Sequence, residues 1–168
     1  MNSPYSSVPR GSSVVVLGCL VEDEEGLWLS YPVDPSGGVG RSYGAVLTSI
    51  ADGDLARQMA SAGLMVVTGR WDGELIRVTN FDRVSQDWAE KYLGVAGDGL
   101  TPEEAFRLVT SIPAELESSI NAIEHCHPGG YTRKIRVSVT LLSPQWDQWR
   151  ATVDPWVEIT PIMHVLAQ

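Results

Sequence analysis

His125-Cys126-His127 brings two imidazoles and a thiol into three consecutive residues. Such groups ligate zinc, or pair as thiolate and base in nucleophilic catalysis. The spacing argues against both. Zinc donors normally stand two to four residues apart so that both reach one ion, whereas adjacent residues point in different directions. A thiolate needs a base held in hydrogen-bonding geometry and an orienting third group, and adjacency supplies neither. His164 and Cys19 are distant additions, and nothing nearby completes four ligands. The plainer reading is a polar helix end, where His favours the last carbonyls and Pro128-Gly129-Gly130 stops the helix. The segment Ser36-Gly37-Gly38-Val39-Gly40-Arg41 is Gly-rich like a phosphate loop. It lacks the Lys-Ser/Thr that follows in a P-loop and the strand-to-helix context of a dinucleotide fingerprint. No metal, cofactor or catalytic residue is therefore assigned. An enzyme with chemistry near His125-Cys126-His127 stands as one alternative.

Residue types suited to binding are better represented. Glu22-Asp23-Glu24-Glu25 is an acidic run, and the chain carries a net charge of −9 from 21 acidic and 12 basic residues. That balance favours basic partners and works against nucleic acid or anionic membrane. Of the six Trp, Trp146, Trp149 and Trp156 cluster near the C-terminal end, and Arg150 follows Trp149 directly. Trp, Tyr and Arg are the side chains enriched at interface hot spots. Trp28, Tyr43, Arg41 and Arg77 form a second set, with Trp71 and Arg70 close by in kind, suited to stacking and pairing with a ligand. Ten of the basic residues are Arg, which fits a biased codon supply as well as bidentate recognition.

The elements that must position these groups follow from periodicity. Residues 1–12 are rich in Ser, Pro and Gly and read as a flexible arm. Ser13–Val21 is a short apolar, Val-rich run and reads as a buried strand, with Leu27–Tyr31 returning after the acidic turn. Ser42–Ile50 reads as a third strand, and Leu55, Met59 and Ala62 lie at helical spacing before Gly63. Residues 64–84 form a hairpin at Asp72-Gly73, a pair suited to a type I′ turn, with Ile76 and Val78 inward. Beyond it, a short helix over Gln86–Leu93 precedes a hinge-like linker at 95–99. Thr101-Pro102-Glu103-Glu104 is a capping box opening a helix to Ile112, with Phe106, Val109 and Ile112 inward. A second helix is expected over Pro113–His125, then an alternating strand at 133–141, a Trp-bearing loop and a final strand at 156–165.

The order strand, strand, strand, helix, strand, strand over residues 13–84 resembles the OB-fold, a five-stranded Greek-key barrel. The resemblance implies a ligand face on the second and third strands, framed by the first-to-second and fourth-to-fifth strand loops. Here those loops are Glu22-Asp23-Glu24-Glu25 and Asp72-Gly73-Glu74, which repel a phosphate backbone. The expected fold class is α+β: an OB-like barrel with a trailing helix at 13–94, then a helical hairpin and a C-terminal β-hairpin at 95–168, packed on the barrel. The expected function is a non-enzymatic, acidic protein-binding module of inhibitor, immunity or adaptor type. Glu22, Asp23, Glu24 and Glu25 would dock electrostatically, and Trp146, Trp149 and Arg150 would anchor. The alternative is an OB-type binder of single-stranded nucleic acid or a small ligand through Trp28, Arg41, Tyr43 and Arg77. No apolar run approaches the ~20 residues that span a bilayer, the two Cys form no disulfide framework, and the expected location is cytoplasmic.

Overall fold

A computed structural model describes residues 3–31, 41–84, 93–94, 99–124, 131–132 and 134–167. The chain is mixed α+β and divides into two units, residues 1–85 with 162–168, and residues 86–161.

The first unit is built on β1 (Ser13–Asp23), β2 (Gly26–Ser30), β3 (Val46–Ser49), β4 (Met65–Trp71) and β5 (Ile76–Arg83), with α1 (Gly53–Ala60) between β3 and β4. The strands pair in the order β1-β2-β3-β5-β4, and β4 returns to β1, so the sheet nearly closes into a ring. Closure rests on the length of β1. Its residues 13–18 pair antiparallel with β4, and residues 19–23 pair antiparallel with β2. The handover falls at Gly18, where a Cβ would lie 2.9 Å from the Ser30 backbone nitrogen. The β4–β5 ladder shifts register between Thr68 and Gly69. A Cβ on Gly69 would come within 2.4 Å of the Arg77 carbonyl oxygen, so only Gly permits this bend. β3 and β5 complete the ring as a short parallel pair.

Alternation fills the interior. Val14, Val16, Leu29, Val46, Met65, Val67 and Ile76 are buried, and Met59 of α1 is buried with them. Val78 is buried as well, while Arg77 and Thr79 are exposed, as the alternation predicts. Asp52 caps α1 by accepting from the Asp54 and Leu55 N–H groups at 2.8 and 3.3 Å.

Two local expectations change. Among the described residues no residue other than Gly has a positive φ, Asp72 included, so the Asp72-Gly73 turn is not type I′. Instead Asp72 Oδ1 accepts from the Glu74 and Leu75 N–H groups, and Gly73 alone takes φ +105°. The N-terminal segment is not a loose arm over its described residues. Tyr5 and Val8 are buried, and the Gly11 and Trp71 N–H groups bond to the Trp71 and Ser12 carbonyls. Its Ser/Pro/Gly composition reads as linker, but two apolar side chains are enough to dock it.

The second unit contains β6 (Leu93–Gly94), α2 (Pro102–Thr110), a 3₁₀ turn at Ala114–Ser119, β7 (Ile120–Glu124), β8 (Tyr131–Thr132), β9 (Ile135–Val139), α3 (Pro144–Val153) and β10 (Val157–Pro161). The capping box forms as expected, Thr101 Oγ1 accepting from the Glu104 N–H and the Glu104 carboxylate from the Thr101 N–H. The helical hairpin does not form. Residues 114–119 make the 3₁₀ turn and Ile120–Glu124 pairs with β9, so Ile120 and Ile123 serve a sheet rather than a helix stripe. The C-terminal β-hairpin is also replaced. β9 and β10 are parallel, joined through α3, and the stretch expected as a Trp-bearing loop is that helix. Its signals were Pro144 at the first helical position and Trp146, Trp149 and Val153 at i, i+3 and i+7. Phe106 is 67% exposed, and Ala105 is the buried residue of α2. The expected helix at 86–93 lies outside the described residues except for Leu93, which belongs to β6. The chain then returns to the first unit as β11 (Met163–Val165), antiparallel to β1.

Candidate functional site

A cleft of about 580 Å³ opens on the outer face of β2 and β3 in the first unit. Its wall is built by register. Trp28 of β2 stands directly opposite Leu47 of β3, so both present side chains to the same outer face. Tyr43 and Ala45 continue that face upstream of β3. Trp71, the last residue of β4, closes one side, and Tyr5 packs edge-to-face on it with ring centres 6.0 Å apart. The rim carries Glu25 from the β1–β2 turn and Glu74 from the β4–β5 turn.

The segment bearing Arg41 and Tyr43 is tied down at separate points. The Ser42 N–H donates to Ser30 Oγ at 2.9 Å, and Ser42 Oγ accepts from the Tyr31 N–H. The Tyr5 hydroxyl donates to the Gly44 carbonyl. Burial, with the neighbouring Tyr43, pushes the Tyr5 hydroxyl pKa well above the usual tyrosine range. Arg41 is held from the other side. Its Nε lies 3.0 Å from Asp23 Oδ2, its Nη1 lies 2.6 Å from Glu25 Oε2, and its guanidinium carbon sits 4.1 Å from the Trp28 ring centre.

The two framing turns follow one design. Asp23 Oδ1 accepts from the Glu25 and Gly26 N–H groups and from the Trp28 indole N–H at 3.1 Å. Asp72 Oδ1 accepts from the Glu74 and Leu75 N–H groups, and its Oδ2 lies 3.1 Å from Arg77 Nη2. Desolvation opposes the charged form of Asp23, but these donors and Arg41 outweigh it and lower its pKa. The Leu75 N–H leads the corresponding lowering at Asp72, with Arg77 and Arg10 adding to it. Each loop thus spends one aspartate oxygen on its own shape and pairs the other with an arginine.

The residues expected from sequence fall into three groups. Trp28, Arg41 and Tyr43 converge in the cleft, joined by Glu25, while Arg77 stands at the adjacent turn. Glu22 and Glu24 are exposed on the hairpin, and Asp23 is half-buried in turn and ion-pair bonds. Trp146 and Trp149 are not surface anchors: they are 0% and 6% exposed in the second unit's core. Their indole N–H groups donate to Ser119 Oγ and Ser111 Oγ, and their rings meet edge-to-face at 5.8 Å. Indoles at helical spacing bury more area as core than at the rim. Arg150 pairs along α3 with Asp147 at 2.9 Å. His125, Cys126 and His127 lie outside the described residues. Among the described residues no three His, Cys, Asp or Glu side chains gather as metal donors. Tyr5 is the cleft residue that sequence reasoning missed, since nothing in a Ser- and Pro-rich segment marks its docking.

One polar group of the cleft wall is unspent. The Trp71 indole N–H is buried and has no hydrogen-bond partner among the described residues. No family model, curated protein or solved structure matches the chain.

Proposed function

We propose that the protein is a non-enzymatic binding module of the OB type that takes a segment of a partner protein across the outer face of β2 and β3. The observation that carries the reading is the convergence of Trp28, Arg41, Tyr43, Tyr5 and Trp71 on one cleft between two acidic turns. The nearly closed sheet, with α1 inserted between β3 and β4, supports reading this face as the ligand face of a Greek-key barrel. A fold does not confer a function, so the chemistry of the face selects the partner. A phosphate backbone requires free cations, yet Arg41 and Arg77 are paired with carboxylates of the same turns. Aromatic walls under an acidic rim instead suit a basic segment, with the rings as anchors and the rim steering approach.

Replacing Tyr43, which is 65% exposed, with a photo-crosslinking amino acid in cells tests this directly. The same replacement at Phe106, an exposed aromatic of the other unit, is the control. A protein adduct formed at Tyr43 and absent at Phe106 is expected. Nucleic-acid adducts at Tyr43, supported by anisotropy with labelled single-stranded oligonucleotides at low salt, would establish the runner-up reading instead.

A further inference from the structure

We infer that Asp23, Glu25 and Trp28 form a guanidinium cage that Arg41 fills in the free protein and that an arginine of the partner segment takes over on binding. The inference rests on the cleft being the docking face. Its basis is the completeness of the cage. Two carboxylates meet the edge of the Arg41 guanidinium at 3.0 and 2.6 Å while Trp28 covers its face at 4.1 Å. This is the arrangement that suits a planar five-donor cation and not a compact ammonium.

Asp23 and Trp28 hold their positions without Arg41. The Trp28 indole N–H and two backbone N–H groups all donate to Asp23 Oδ1, leaving Oδ2 for the cation. The cage is therefore built by the turn, and Arg41 is an occupant rather than a member. Its side chain is 31% exposed, so exchange needs no unfolding of the barrel. Charge complementarity selects the occupant. The rim adds Glu74 to Asp23 and Glu25, so the cleft opposes an anionic ligand and favours a cation, and Trp28, Tyr43 and Trp71 line it for the segment that carries that cation. The tethered Arg41 competes with the incoming arginine, so the free protein holds its affinity below that of the open cage.

The test titrates capped Gly-Arg-Gly into the full chain and follows the indole N–H resonances of Trp28 and Trp71 by NMR. Arg41→Ala is expected to bind the peptide about tenfold more tightly than wild type, within the range of a partly desolvated cation–π contact. Arg41→Gln serves as a second opened cage if the alanine variant does not fold. Capped Gly-Lys-Gly should gain less, and adding Glu25→Gln to Arg41→Ala should abolish the gain. Arg57→Ala removes the same charge from α1, away from the cleft, and should leave affinity unchanged. An equal gain in Arg57→Ala reduces the effect to net charge and overturns the cage. Indole shifts without any gain in the Arg41 variants also overturn it and leave the cleft standing. Absence of shifts in every protein overturns the cage, and crosslinking at Tyr43 then decides the cleft separately.

Discussion

At the scale of single residues, the site is held by groups that serve the fold and the cleft together. Asp23 orders the β1–β2 turn and fixes Trp28 and Arg41. Its folded-state pKa is depressed, so its stabilisation is fully present above the usual aspartate value of 3.8 and is lost as pH falls through the depressed value. Asp72 acts with the same sign. Urea denaturation at stepped pH should show wild type weakening in acid, and Asp23→Asn should show a flatter acid limb with lower stability at neutral pH. Tyr5 gives a second check. Tyr5→Phe leaves the buried Gly44 carbonyl without its donor and should cost about 1–3 kcal/mol of unfolding free energy. In wild type, absorbance titration should show a tyrosine that resists ionisation well above the usual tyrosine range, and Tyr5→Phe should remove it.

At the scale of elements, the barrel depends on Gly18, where β1 changes partner, and Gly69, where the β4–β5 ladder shifts register. Gly69→Ala would drive a methyl into the Arg77 carbonyl and the Ile76 side chain, so it should destabilise the protein by more than about 2 kcal/mol in thermal or urea melts. Gly53→Ala, where a Cβ meets nothing within 4 Å, is the tolerated comparison. Element order was legible over residues 13–84 because the strands are short apolar or alternating runs and the turns between them carry Asp, Gly or an acidic run. The second unit was misread where short segments satisfy two periods. Leu116, Ile120 and Ile123 fit a helix stripe, yet the β9 ladder claims Ile120 and Ile123. Trp146 and Trp149 admit two readings from sequence, exposed anchors or indoles folded back over the sheet, and what the sequence reading lacks is the helix that buries them. The convergence of Trp28, Arg41 and Tyr43 on one cleft was legible from the order of the segments that carry them. The docking of Tyr5 depends on a contact 39 residues away in sequence and carries no local signal.

At the scale of the whole molecule, the net charge of −9 and the two acidic turns act in one direction. Glu22 and Glu24 are exposed and do not line the cleft, so in the proposed docking they would act through field rather than contact. Replacing both with Lys should slow association with the crosslinked partner and reduce its dependence on salt, with little change in dissociation. Stopped-flow measurement at two ionic strengths reads both rates.

The central claim is that the cleft on β2 and β3 is the docking face, and calorimetric titration of the crosslinked partner into wild type and Tyr43→Ala tests it most directly. Tyr43 is an exposed aromatic of the cleft, so its truncation should leave the melting temperature near that of wild type. A loss of affinity of about tenfold or more, the range of an interface hot spot, is the predicted result. Unchanged affinity in a folded Tyr43→Ala protein would contradict the account.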